Sequence, residues 1–526
     1  MSLPPPFRIL GGSAAAQAPA GLRPATKTPV GLDEFQQAVV ACEAKLIVAE
    51  AFAGAGKTTM AVAFAAARPR DKFLYLCFGK ANQVEAAARF GANTECRTGH
   101  SLAYRAVGYK FKDQLVFSWK VRDLASQLRI GNLRSAAVIQ DVLNLFFAST
   151  DLVPHIKHVA EASEKWNLLP NEFEALLAQS KLAWSKMQQP GSGISLPQDA
   201  YLKMWALTNP KLTAYSHIIL DEAQDTNPVM AQVVAQQTHT TRLLVGDRHQ
   251  SVFLFRGAVN AMETFAATGA TVMKMPRTWR FGPQIASVAN DILGFFKGEN
   301  TKIIGAGPGA PRRREDKRAV LARTNAGLYG EAAAVLGKDT HWIGGIEQYK
   351  IEALLDSYLL KAGRRHEILD PGMRNYLSWN QYTEEAERTK DGESRMLIKL
   401  NDQYGQDVPS LVKSLRANEL KTEAGAKLIL TTTHKAKGLD FDRVTLAEDF
   451  ECTTKALDEL KLQPDSGLSV AMAQEINLLY VGITRARHQL DLNRETAEFL
   501  KRLPIHESDL QELRSKHSTT FEEAPN

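Results

Sequence analysis

The chain has 526 residues, of which 44% are hydrophobic and 23% charged, and a formal net charge of +6. At roughly 150 residues per domain this is too long for one core, so three or four domains are expected; the composition is that of an ordinary globular protein, and the mild positive excess suits a nucleic-acid partner without requiring one. The four cysteines, Cys42, Cys77, Cys96 and Cys452, form no CxxC pair, which speaks against zinc ribbons and clustered iron–sulfur sites and for a reducing cytosol.

Residues 1–30 are rich in Ala, Pro and Gly, with no acid before Asp33 and no uninterrupted apolar stretch, and read as a flexible leader. Leu46–Ala49 is the first apolar run with the length of a buried strand. It leads into AFAGAGKTT at residues 51–59 and then a helical pattern from Met60 to Ala67. A glycine-rich loop between a strand and a helix is a phosphate cradle. Gly54 and Gly56 let the backbone curl so that N–H groups face phosphate oxygens, Lys57 supplies charge for the β- and γ-phosphates, and Thr58 supplies a hydroxyl for Mg²⁺. The strict pattern asks for Gly where Ala51 stands.

Phe73–Cys77 is the next strand, and from about Ser101 to Pro210 the pattern turns helical. Val138, Ile139, Val142, Leu143 and Phe146 share one helical face, and Phe173, Leu176 and Leu177 another. Strands resume at Ile218–Leu220, which ends in Asp221 and Glu222 of HIILDEAQD. An acid leaving a strand can hold Mg²⁺, and the following glutamate can orient or deprotonate an attacking water. Further strands are expected at Leu243–Val245, Ala319–Leu321, Leu428–Leu430 and Val444–Leu446. The basic run PRRREDKR at 311–318 reads as a solvated loop. The residues after Leu503 are polar and read as a short helix or a disordered tail. Alternating buried strands and helices predict an α/β fold with parallel sheets.

Nine segments then fall in a telling order: LDEFQQAV from Leu32, the phosphate loop with YLCFGKANQ from Tyr75, TGHSLAYRAVG from Thr98, DEAQD from Asp221, VGDRHQSVFLFRGA from Val245, TWRFG from Thr278, LARTNA from Leu321, TTHKAKGLDFDRV from Thr432, and QEINLLYVGITRAR from Gln474. This order resembles helicase superfamily 1, its UvrD/Rep branch, and the helicase core of the F-box DNA helicase group in particular, although no F-box is evident.

The resemblance implies two RecA-like P-loop domains, each carrying a mainly helical insertion, with ATP and Mg²⁺ in the cleft between them. The expected division is a first domain at 31–100 and 211–286 with an insertion at 101–210, a second domain at 287–344 and 425–503 with a short insertion at 345–424, and a polar tail at 504–526. Lys57, Asp221, Glu222, Gln250, Arg280 and Arg485 are implied as catalytic, Gln250 sensing the γ-phosphate and the two arginines approaching it from either domain. Gln36 would read adenine, Trp279 would pack on it, and residues Ala53, Gly54, Ala55, Gly56, Lys57, Thr58 and Thr59 would hold the phosphates, with Thr58 and Asp221 on the metal. Asp440 stands where the family has a ribose-binding Glu. Lys80, Thr98, His100 and Ser101 on the first domain, and Arg323, Asn325 and His434 on the second, are implied to contact the DNA backbone. Phe253 and Phe255 are candidates for stacking on bases, with Arg256 beside them; the alternative reading for either ring is packing in the core.

In the DNA-contacting segments of the first domain three positions depart from the pattern: Phe78 and Gly79, where Thr-Asn is frequent, and Gly99, where Phe is usual. The activity so implied is 3′→5′ translocation on single-stranded DNA with strand separation at junctions, by a cytoplasmic monomer (nucleoid-associated in a bacterium) without a membrane anchor. The rivals are a translocase that strips proteins and unwinds little, a P-loop switch ATPase indifferent to DNA, and a passive binding module, against which the intact Lys57, Asp221, Glu222, Gln250, Arg280 and Arg485 argue.

Overall fold

A computed structural model describes residues 31–117, 119–252, 260–309, 317–334, 339–389, 391–463 and 465–511. Two parallel sheets organise the chain. The first has six strands in the order Thr94–Thr98, Phe73–Cys77, His217–Leu220, Thr241–Gly246, Leu46–Ala51, Thr271–Met275. The second has five, in the order Thr340–Trp342, Leu428–Thr432, Arg318–Ala322, Phe441–Leu446, Ala486–Asp491. Every pairing within these two sheets is parallel. This is the mixed α/β architecture of two RecA-like domains.

The strand sequences explain why both faces of each sheet are covered. Leu74, Leu76, Ile218, Leu220, Val48 and Leu244 point to one core, while Phe73, Tyr75, Cys77, Ile219, Ile47 and Leu243 point to another. The second sheet alternates in the same way, Ala319 and Leu321 facing one side and Val320 and Ala322 the other. A period of two with both phases apolar requires helices on both faces.

All seven expected strands are present. In these two sheets four more strands among the described residues were not legible: Thr94–Thr98, Thr271–Met275, Thr340–Trp342 and Ala486–Asp491. Each lies at a sheet edge, where one side is open and polar residues are tolerated; ARHQLD at 486–491 shows no apolar run at all.

Between the strands ending at Thr98 and starting at His217 the chain is mainly helical, from Gly99–Ala106 to Gln198–Leu207. Val138, Ile139, Val142, Leu143 and Phe146 of helix Leu133–Ala148 are completely buried, as their spacing predicts, in a core continuous with one face of the first sheet. Helices Ile351–Lys361, Trp379–Thr389, Gly392–Tyr404 and Val408–Ala417 interrupt the second sheet. The two helical segments meet where Arg122 forms a two-pronged pair with Glu385, at 3.1 and 2.7 Å. After Leu503 the short-helix alternative holds as far as the described residues go: residues 503–511 are helical, with His506 and Leu510 buried and the His506 ring stacked on Phe499. The four cysteines are free thiols. No helix among the described residues is long and apolar enough to cross a membrane.

Candidate active site

The loop after strand Leu46–Ala51 turns through Gly54 and Gly56, both at φ +76°, and enters helix Lys57–Ala66. The left-handed backbone favours glycine there, and at Gly54 space does too: a Cβ would lie 2.5 Å from Thr278 Oγ1 and 2.6 Å from Arg280 Cβ. The first turn of the helix offers N–H groups that have no partner within it. Gln36 braces the loop from below. It closes a capping box with Asp33 and donates from Nε2 to the Ala55 carbonyl at 3.0 Å. Trp279, 42% exposed, donates from its backbone to the Gly54 carbonyl at 3.0 Å and from its indole to Asp33 at 3.3 Å. Gln36 and Trp279 therefore sit together at one end of the loop. Thr59 is exposed and accepts from Arg89 at 2.9 Å.

Strand His217–Leu220 delivers the acids beside this loop. Lys57 Nζ donates to Glu222 at 2.8 Å. Burial works against the lysine charge, but Glu222 and then Asp221 outweigh it and raise the Lys57 pKa. Asp221 accepts from the Tyr75 hydroxyl and from the Glu222 backbone. Burial, then the adjacent Glu222 charge, pushes the Asp221 carboxyl up. At Glu222 burial is overcome by Lys57 and then Lys437, which hold its carboxyl low. Glu222 itself adopts a left-handed backbone, φ 48°, a conformation that costs a non-glycine residue energy and turns the side chain toward the loop.

The second sheet completes the cleft. Helix Val470–Ile483 and the turn after it place Tyr480, Asn477 and Arg485 against the segment Asp247–Ser251 of the first sheet. The Tyr480 hydroxyl donates to Asp247 at 2.9 Å and accepts from the backbone of Ala53 in the phosphate loop at 3.3 Å. Gln250 donates to Asp247 at 2.8 Å and accepts from Arg485 at 3.3 Å. Arg485 is 1% exposed; its other donors go to the carbonyls of Val481 and Leu439 and to the Thr484 hydroxyl. Burial and the charge of Arg280 pull its pKa down to about 9. Arg280, likewise lowered by burial, donates to the Thr484 carbonyl at 3.0 Å. Lys437 crosses from the second sheet to Asp225 and to the Gln250 carbonyl. Phe52 and Val252, both from the first-sheet side, are buried in the core of the second domain, and the Phe52 ring stacks on His249 at 5.9 Å.

The geometry thus brings Lys57, Asp221, Glu222, Gln250, Arg280 and Arg485 into one cleft. Asp440 lies in it too, but its carboxylate is paired with Arg487. Tyr480, Lys437 and Tyr75 belong to the same constellation and escape sequence reasoning, although all three lie inside the quoted motifs; nothing in residue type separates a bridging tyrosine from a core one.

Seven of the residues proposed for DNA fall among the described residues. Lys80 is exposed and bonds Gln83 at 3.1 Å, next to Phe78, whose ring is 50% exposed. Thr98 caps helix Gly99–Ala106 together with Ser101, so both hydroxyls are engaged in the helix start. His100 faces Asp199 at 3.1 Å. Arg323 is held by Glu475 through two bonds of 2.6 Å, which makes it a structural pair in this arrangement. Asn325 opens helix Asn325–Ala334, and His434 lies on the short helix Thr433–Ala436. Phe253, Phe255 and Arg256 lie outside the described residues.

Gly99 has a packing reason: a Cβ there would lie 2.7 Å from Met230 Sδ and 3.1 Å from its Cε. Installing the phenylalanine expected by resemblance, Gly99→Phe, overpacks the site and should destabilise the chain by ~1–3 kcal/mol. The thermal midpoint is expected to fall, and Met230→Ala in the same chain to restore part of it.

Comparison with known proteins agrees with this geometry. Residues 206–267 match the UvrD/REP helicase N-terminal domain, and residues 364–494 match the UvrD-like helicase C-terminal domain. The chain is 31% identical over 486 residues to F-box DNA helicase 1 of Gallus gallus, covering 86% of this chain and 47% of that protein. It is 29% identical over 512 residues to F-box DNA helicase protein 1 of Schizosaccharomyces pombe, covering 88% and 57% respectively. To ATP-dependent DNA helicase UvrD2 of Mycobacterium bovis it is 24% identical over 500 residues, covering 78% and 69%. The chain spans about half the length of the two F-box helicases it matches. One match lies on the acid-bearing strand of the first sheet and the other runs through the arginine-bearing turn of the second, so the chain is similar to both the N-terminal and the C-terminal domain of the UvrD-like helicases.

Proposed function

We propose that this chain is an ATP-dependent DNA helicase that moves 3′→5′ along single-stranded DNA. The reading is carried by one observation: Gln250 of the first domain is bonded both to Asp247 beside the phosphate loop and to Arg485 of the second domain. A catalytic cleft assembled from two bodies couples its chemistry to their separation.

The residues fit Mg·ATP. The glycine-cradled loop, the helix N-terminus and Lys57 would hold the phosphates. Thr58 and the Asp221 carboxylate would hold Mg²⁺, a hard cation that takes one or two carboxylates and otherwise phosphate and water oxygens. Mg²⁺ bound there neutralises charge on the transferred phosphoryl group. Lys57 is now bonded to Glu222; phosphate oxygens competing for the ammonium release the Glu222 carboxylate to orient and deprotonate water. Arg280 and Arg485 stabilise negative charge at the γ-position, Gln250 reports it, and Gln36 and Trp279 hold the base. Asp440 reaches a ribose only by exchanging its bond to Arg487.

We divide the chain as the family does, into a first domain at 31–100 and 211–286 with its insertion at 101–210, and a second at 287–344 and 425–503 with its insertion at 345–424. The short second insertion keeps protein stripping as the second reading, because less structure is available there to engage a duplex.

The test is ATP hydrolysis with and without single-stranded DNA, together with unwinding of duplexes bearing a 3′ or a 5′ tail. The expected result is strong stimulation by single strands and unwinding of the 3′-tailed duplex. Stimulation without unwinding selects stripping. A hydrolysis rate indifferent to DNA would falsify the motor reading.

A further inference from the structure

Helix Gly99–Ala106 and the turn Gly108–Phe111 after it carry surface chemistry that the TGHS segment does not account for. Tyr104 and Tyr109 are 41% and 53% exposed. Exposed rings grouped on one stretch of surface mark a contact site more often than rings scattered singly. These two are grouped by the backbone between them. A Cβ on Gly108 would lie 2.9 Å from Tyr104 Cδ2 and 3.1 Å from Tyr201 Cγ, so the turn passes directly against the Tyr104 ring and presents Tyr109 as the next residue.

Buried Tyr201 forms the back wall. It stands edge-on to Tyr104 at 6.1 Å and to His100 at 6.0 Å, fixing those two side chains one helical turn apart on the same face. Arg105, Lys110 and Lys112 are exposed in the same stretch, and Lys110 Nζ lies 5.9 Å from the Tyr109 ring centre. The acids nearby are Asp113, Asp199 and Glu95. Asp199 is engaged by His100 at 3.1 Å, and Glu95 by Arg97 at 2.7 Å and Tyr215 at 2.5 Å. What remains is two exposed rings interleaved with three cations and one acid, Asp113.

We infer that this surface is an additional single-strand platform, in which Tyr104 and Tyr109 stack on bases and Arg105, Lys110 and Lys112 meet phosphates. It prolongs the track from His100 outward along the helical insertion, beyond the cleft between the two sheets. The occupant is single-stranded nucleic acid. Flat rings accept any unpaired base, a duplex keeps its bases stacked inside, and the cations match a backbone charge that recurs with every nucleotide. The inference rests on the proposed DNA-dependent function and deepens it.

The experiment uses the full chain and labelled oligothymidylates of about 8 and about 20 nucleotides, one within and one beyond the span of a typical single-strand site. The wild type is expected to favour the longer strand. Tyr104→Ala with Tyr109→Ala should weaken binding of the longer strand by about 5-fold or more per ring, with little change for the shorter one, while Tyr104→Phe with Tyr109→Phe keeps wild-type affinity. Charge reversal at Arg105, Lys110 and Lys112 should lower the slope of log affinity against log salt by about 0.7 for each phosphate that is no longer neutralised. Unchanged affinity for the longer strand in the alanine pair overturns the platform, as does an equal loss on both lengths or an equal loss in the phenylalanine pair. If the wild type binds and is stimulated by DNA in those cases, only the platform falls; if it binds neither strand, the proposed function falls with it.

Discussion

Lys57→Ala is expected to cut ATP turnover by at least about 10²- to 10³-fold, the loss typical of removing one preorganised charge donor from a water-poor site. Lys57 is the cation placed by the phosphate loop itself, at the first position of helix Lys57–Ala66, and its Nζ already lies 2.8 Å from the Glu222 carboxylate. Removal therefore acts twice. It withdraws charge from the phosphates, and it deprives Glu222 of the partner that does most to keep its carboxyl ionised, leaving the more distant influence of Lys437. Lys57→Met separates these effects from packing, because it retains the side-chain volume. Both variants should fold, as shown by cooperative melting close to that of the wild type, and both should lose single-strand-stimulated turnover. Hydrolysis at the wild-type rate in a folded Lys57→Ala chain would remove the phosphate loop from the mechanism altogether.

The second large effect is expected at Arg485. An arginine that stabilises charge during phosphoryl transfer is worth about 10³- to 10⁵-fold in kcat, and Arg485→Ala should lose about 10³-fold while the KM for ATP changes little. Its guanidinium is buried, placed by two backbone carbonyls, and aimed at Gln250 across the cleft. Arg485→Lys keeps a charge but not the planar fork that makes these bonds simultaneously, so it should rescue poorly. A rise in KM with unchanged kcat would assign Arg485 to ground-state binding. Full turnover in Arg485→Ala would show that the second domain is not needed for chemistry.

Much of this site was legible in the sequence because its elements are locally encoded. A central parallel strand is an unbroken apolar run, and the turn that follows it has few options, so Lys57 and Asp221 could be placed by strand ends, while Gln250 came only from the resemblance. The edge strands could not, because ARHQLD and TECRT alternate or mix polarity where only one neighbour covers them. The partners of the named residues were equally hidden. That Asp440 is held by Arg487, Arg323 by Glu475 and Asp247 by Tyr480 depends on which surfaces meet, and residue type does not record it. In the sequence Gly99 is only a departure from a pattern, while its cause, the Met230 side chain, arrives from more than a hundred residues away.

Phe52 and Val252 lend the cleft a thermal character. Both belong by chain position to the first sheet yet lie 6% and 2% exposed in the core of the second domain. Any separation of the two sheets must hydrate those side chains, and hydrating apolar surface raises heat capacity. In the proposed cycle, closure is driven in part by solvent entropy near room temperature, and this part of the drive weakens on cooling. The same two side chains that seal the joint make its open–closed balance a function of temperature.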